Sequence, residues 1–224
     1  MALIKAKSLV RSGDGVDVQL RSLLSGETSM VDYFAAKALK GQMFTAASAD
    51  VSTATTWTAT ATVDITKPCF FLIAPSDKAI IPVKISLYME AFGSNAQFEC
   101  NAVIGAGGSY TSGMTAITPI CTRGDLSTAS GCTVYAGGNT TVTVGSTTKL
   151  NVFWRDGQQF AITKTTASAT ASVSDPCNFV WRAADAGELH IVGPSMQLAV
   201  HQGSQAGTGF VKVIYVEIPS SELP

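Results

Sequence analysis

From Trp57 onward the chain keeps a two-residue rhythm of apolar and polar positions. Trp57, Ala59, Ala61, Val63 and Ile65 alternate with Thr58, Thr60, Thr62 and Asp64, which predicts a strand with one dry face. Lys67-Pro68 interrupts it, and 69–74 is apolar at every position, the pattern of a strand covered on both sides. After a turn at Pro75-Ser76-Asp77, Ile81, Val83, Ile85, Leu87 and Met89 mark a long strand, and Phe98, Cys100 and Ala102 mark the next. Further segments follow. Leu150, Val152 and Trp154 alternate, with Arg155-Asp156-Gly157 predicted as a hairpin turn into 158–163. Phe179 with Trp181, Leu189 with Ile191, and Met196 with Leu198 and Val200 supply three more. The last apolar run, 210–218, predicts a central strand with a layer on each face. Between 105 and 145 glycine and threonine dominate, so long loops are expected there, with short strands at 114–121 and 140–144.

The first 45 or so residues follow a different rule. Lys5, Lys7, Arg11 and Arg21 sit among Gly13, Gly15, Ser22 and Ser25 with no sustained period, which reads as an extended arm. Ser29, with Asp32 three residues on, fits a capping box for a short helix from Phe34 to Lys40, ended by Gly41. Val31, Phe34, Ala35 and Ala38 would share its apolar face. A helix this short is marginal alone and must dock on its own β domain or on a neighbour. The assembly arm is therefore expected to act through Lys5, Lys7, Arg11, Arg21, Phe34 and Leu39. The division is 1–45, arm with helix, and 46–224, β domain.

Several short strands with glycine-rich turns and almost no helix predict an all-β, two-sheet antiparallel sandwich. Composition adds what such a sandwich would touch. Of the 224 residues 46% are hydrophobic and only 14% charged, against about 25% charged in ordinary soluble domains. A surface so poor in charge is expected to meet other subunits. The formal net charge of −1 and the lack of a basic stripe argue against direct nucleic-acid binding. No apolar run approaches the length of a membrane helix, and 1–10 lacks a signal-peptide pattern, so a soluble chain made in the cytoplasm is expected. Five cysteines, Cys69, Cys100, Cys121, Cys132 and Cys177, show no zinc spacing and read as buried thiols, with a Cys121–Cys132 bridge as the alternative.

The search for chemistry ends without a catalytic constellation. His190 and His201 are the two histidines, and Glu188 with His190 is the best metal or acid–base pair, one short of the smallest zinc site. No His-x-His supports cupin chemistry, no Gly-x-Ser-x-Gly makes a nucleophile elbow, and the glycine runs at 105–108 and 137–138 precede no phosphate-loop lysine. No enzyme activity, cofactor or metal is expected. Arg123-Gly124-Asp125 spells a receptor-binding tripeptide that also makes an ordinary turn, and Asn139-Thr140-Thr141 is a glycosylation sequon expected to be unused.

Three stretches carry a resemblance: Lys67-Pro-Cys-Phe-Phe-Leu-Ile-Ala-Pro, Ile80-Ile-Pro-Val-Lys-Ile-Ser-Leu-Tyr-Met-Glu, and Gly207-Thr-Gly-Phe-Val-Lys-Val-Ile-Tyr-Val-Glu-Ile-Pro. With the arm and small helix, they resemble jelly-roll virion structural proteins of bacteriophages over roughly 50–218. That resemblance implies a single jelly roll that self-assembles into a capsid, vertex or decoration oligomer (trimer, pentamer or shell). Its partners would be its own copies and other virion proteins, and its place the virion. The arm departs from the arginine-rich arms that package a genome directly, which favours a scaffolded or membrane-lined shell or an exterior position. The competing expectation is a receptor-binding or adhesive β-sandwich head of a spike or fibre.

Overall fold

The computed structural model describes residues 5–7, 17–19, 33–48, 53–57, 63–92, 97–107, 113–137, 151–159, 177–203 and 207–223. The chain divides into two units, Met1–Ala36 and Lys37–Pro224. In the first, β1 (Lys5–Lys7) pairs antiparallel with β2 (Asp17–Gln19), Lys5 opposite Gln19. The expected arm thus carries a short ladder that its irregular sequence did not announce.

The second unit is a sandwich of two antiparallel sheets. One runs β11 (Asn151–Gln159), β7 (Gln97–Ala106), β13 (Met196–Gly203), β5 (Phe70–Ile73), β10 (Thr133–Ala136), β8 (Thr115–Ile117). The other runs β12 (Cys177–Arg182), β6 (Lys78–Phe92), β14 (Gly207–Pro219), β3 (Met43–Ala47), β9 (Ile120–Cys121), with β4 (Thr55–Trp57) added at the start of β14. Eight of these strands pair as a nested series. The first pairs with the last, β3 with β14; the second with the seventh, β5 with β13; the third with the sixth, β6 with β12; and the fourth with the fifth, β7 with β11. Rolling one long antiparallel ribbon produces this order, and β14–β6 and β13–β7 then close the two sheets. It is the connectivity of a single jelly roll.

The other short strands have one job. Between the fourth and fifth strands of the roll the described residues 113–137 form an excursion, in which β10 extends the first sheet beside β5 while β9 extends the second beside β3. The edges of β5 and β3 are thereby paired, and the short strands β8 and β9 become the outermost ones on that side.

The core lies between the sheets, as the alternation requires. Phe44, Trp57, Ile85, Leu87, Phe98, Leu198, Val200, Val211, Val213 and Tyr215 are all buried, each contributing roughly 1.5–3 kcal/mol of transfer free energy. Phe44 stacks on Tyr215 and Phe98 on Phe179, with ring centroids 5.9 and 5.0 Å apart. All three tryptophans, Trp57, Trp154 and Trp181, point inward. A smaller second cluster covers the outside of the first sheet, where Met114 of the excursion meets Phe71, Ala199, Ile73 and Tyr135.

That outer layer falls on 69–74, as the sequence pattern suggests, but does not cover the whole of β14. β14 is central, but Lys212 is exposed and Phe210 and Ile214 half-buried on its outer face. The strands buried on both faces are β13 from Gln197 to Gly203, β7 over 100–105 and β5 over 70–72. Three further expectations change. Arg155-Asp156-Gly157 is no turn, because β11 runs straight through it, and a Cβ on Gly157 would lie 2.8 Å from the Phe98 carbonyl oxygen. Here glycine serves close strand approach. Residues 63–66 leave the strand pattern because the Asp64 carboxylate accepts from the Thr66 N–H at 2.9 Å and its hydroxyl at 2.7 Å, closing an Asx-turn. The phase of 189–192 is inverted, with Leu189 and Ile191 exposed and Val192 buried. The expected alternating region at 58–62 and the strand at 140–144 lie outside the described residues.

Candidate functional site

The short helix and the tripeptide meet at the β9 edge of the sandwich. α1 (Tyr33–Leu39) ends where glycine predicted, with Gly41 at φ +70°. The Gly41 N–H bonds the Ala38 carbonyl and the Gln42 N–H the Lys37 carbonyl, both at 2.9 Å, which is the Schellman closure. The buried face differs from the expected one: Lys37 is the buried residue, Phe34 and Ala38 are half-buried, and Ala35 is exposed. Lys37 reaches Glu222 of the C-terminal 3-10 turn (Ser220–Glu222) at 2.9 Å. Its aliphatic stem is covered while its ammonium finds a carboxylate.

Arg123, Gly124 and Asp125 fasten that helix end. The Arg123 guanidinium binds Asp125 through two parallel hydrogen bonds of 2.8 Å and donates to the Leu39 carbonyl at 2.5 Å. The pairing lowers the Asp125 pKa, first through the Arg123 hydrogen bonds, and raises that of Arg123 for the same reason. The tripeptide is a closed ion pair capping a helix C-terminus, so a receptor would have to break it to engage either charge. Leu39, on the same edge, is exposed.

Of the remaining arm residues, Lys5 and Lys7 lie in β1, and Phe34 lies in α1 with its ring edge-on to Tyr33 at 5.6 Å. Arg11 and Arg21 lie outside the described residues, as do the capping residues Ser29 and Asp32.

A polar network that sequence reasoning missed joins three elements beside this edge. Glu217 of β14 is buried, and its carboxylate accepts from Lys78 Nζ of β6 at 2.7 Å, from the Gly131 N–H at 3.0 Å and from the Ser130 hydroxyl. Because Ser130 spends its proton on Glu217, the Tyr215 hydroxyl 2.8 Å away donates to Ser130, and the Cys132 N–H also donates to it at 3.1 Å. Burial alone would raise the Glu217 pKa, but the hydrogen bonds from Lys78, Ser130 and Gly131 outweigh it, so the pKa is lowered and the carboxylate stays charged. Burial pushes the Tyr215 and Cys132 pKa values up, so both remain protonated. A cavity of about 210 Å³ lies alongside, lined in part by Lys40, Gln42, Lys78, Thr128 and Glu217. Only a contrast in position could have announced the network: Glu217 is the one acid inside the last apolar run.

The two histidines part company. His190 is 3.5 Å from Glu188 and its ring lies 4.7 Å from Phe153 and 6.0 Å from Trp181, at the opposite edge of the sandwich. His201 is buried on β13, with Nδ1 2.9 Å from the Asn101 amide and Nε2 3.0 Å from the Ile65 carbonyl. The Ile65 carbonyl and the Asn101 Oδ1 that faces Nδ1 only accept, so a neutral ring donates to one of the two through whichever nitrogen carries its proton. Burial lowers the His201 pKa to about 4, and the residue is a neutral structural pin. Cys69, Cys100, Cys121 and Cys132 are free and buried, so Cys121 and Cys132 are not bridged. Burial raises the Cys69 pKa to about 12 and that of Cys100 as well, which keeps these thiols unreactive.

Among the described residues, no group of three or more His, Cys, Asp or Glu side chains converges to hold a metal, and no helix is long and apolar enough to cross a membrane. No family model, no curated protein and no solved structure matches this chain. Its chemistry must therefore be argued from its own residues.

Proposed function

We propose that this chain is a structural subunit of a virus particle that works by associating with copies of itself, through its β domain and its N-terminal segment, in a capsid or capsid-associated oligomer. The observation that carries the reading is a jelly roll in which only 14% of residues are charged. Three of its buried polar groups pin other segments to the roll. Glu217 holds the excursion, His201 holds the 63–67 segment and Lys37 holds the C-terminal turn. Such a design stiffens a building block. The closed Arg123–Asp125 pair weighs against the spike or fibre head reading through the tripeptide. Negative-stain imaging of the purified full chain tests the proposal. Closed particles, rings or other discrete oligomers support it, and a field of monomers at every concentration defeats it.

A further inference from the structure

Single exposed aliphatic side chains are ordinary on a protein surface, but grouped ones point to something that covers them. In the sandwich unit the large exposed aliphatics among the described residues are Leu39 (59% exposed), Ile120 (67%), Val152 (52%), Leu189 (58%) and Ile191 (40%). They fall into two groups. Leu39 and Ile120 share the β9 edge, where Arg123, three residues beyond Ile120, holds the Leu39 carbonyl. Val152, Leu189 and Ile191 lie along the β11–β12 edge, where their chain neighbours Phe153 and His190 pack on each other and Phe153 on Trp181. In sheet order β9 closes one side of the second sheet and β12 the other, while β11 is the first strand of the sheet facing them. The two groups lie on opposite edges of one sandwich.

The edges differ in charge. Beside Leu39 stands the exposed Lys40, and beside Leu189 the exposed Glu188, whose one partner among the described residues is His190 at 3.5 Å. In backbone they are alike, since no strand among the described residues pairs with the outer sides of β8 and β9 or of β11 and β12. Like-with-like association would set Lys40 against Lys40 or Glu188 against Glu188. Joining unlike edges sets apolar against apolar and Lys40 near Glu188.

We propose that these two edges join copies of the chain head to tail, Leu39 and Ile120 of one subunit seating on Val152, Leu189 and Ile191 of the next. The inference rests on the assembly reading and names its contact. A contact between two different surfaces leaves each subunit with one free edge of each kind, so it propagates until the rotation closes a ring or shell. The inverted phase of Leu189 and Ile191 then has a reason, because the side chains turned away from the core face the next subunit.

The test uses two full-length variants, Ile120→Glu and Leu189→Glu, both at exposed positions that the fold does not need. Sedimentation velocity is run on the natural chain, on each variant and on their equimolar mixture, with circular dichroism to verify folding. The expected result is oligomers for the natural chain, loss of all oligomer in each variant alone, and one-to-one dimers with nothing larger in the mixture. Each variant retains one intact edge, and the two intact edges are complementary. Dimers formed by either variant alone, oligomers like those of the natural chain, or a mixture that stays monomeric would overturn the head-to-tail contact while leaving self-assembly standing. A natural chain that is monomeric at all concentrations would overturn both.

Discussion

His201 shows how one side chain sets a pH limit on the fold. Its pKa falls from 6.5 to about 4 on burial, so the folded state holds it neutral where the unfolded chain takes up a proton. The stability tied to that neutral ring is fully present above pH 6.5 and is lost as pH falls toward 4, a gap worth up to about 3 kcal/mol. Asp64, close enough to favour the charged ring, has a lowered pKa through its Thr66 bonds, and Glu217 is lowered too, so their contributions fade below their ordinary values of 3.8 and 4.5. Urea midpoints measured from pH 7 to pH 4 should fall steeply for the natural chain. The His201→Gln variant should lack that part of the slope, and equal slopes in both would contradict the assignment. At Gly209 the limit is steric. A Cβ there would lie 2.1 Å from the Tyr88 carbonyl oxygen and 2.7 Å from the Trp57 ring. Gly209→Ala should therefore cost about 3 kcal/mol or more. Gly124→Ala, with no atom near its Cβ, should leave the thermal midpoint unchanged.

Among the elements, the excursion depends on Glu217. Replacing it with glutamine leaves one acceptor oxygen for Lys78, Ser130 and Gly131 and removes the charge that Lys78 answers. The expected loss is about 2 kcal/mol, moderated because Lys78 keeps about a third of its side chain in water. Hydrogen exchange should quicken at Gly131 and Cys132 before it does in β13, and uniform protection would argue against the latch. Strands with one dry face were legible in the sequence, β12 and the second half of β6 among them, because burial on one side imposes alternation. The rolled order of the strands was not legible, since a period of two identifies strands but not their neighbours. The turn expected at Arg155-Asp156-Gly157 failed because glycine marks a close strand approach as readily as a turn. Leu189 and Ile191 misled for a related reason: alternation identifies two faces without saying which one is inside. The Glu217 network was hidden because its partners lie 86 to 139 residues away in the chain.

For the whole molecule, the place to cut the N-terminal segment follows from the pairings of Lys37 and Leu39. A chain beginning at Lys37 keeps the Glu222 ion pair and the Arg123 bond to the helix end, whereas one beginning at Gly41 loses both. Removing residues 1–36 should leave the thermal midpoint of the sandwich nearly unchanged while impairing assembly. Removing 1–40 should also lower the midpoint, and light scattering with a melting curve separates the two effects. Low charge, a jelly roll and unlike apolar edges all bear on a single claim, that this surface is made to meet its own copies. Sedimentation velocity of the full chain over a wide concentration range tests it most directly. The account predicts discrete species of several subunits that persist on dilution, and a single monomer boundary throughout would contradict it.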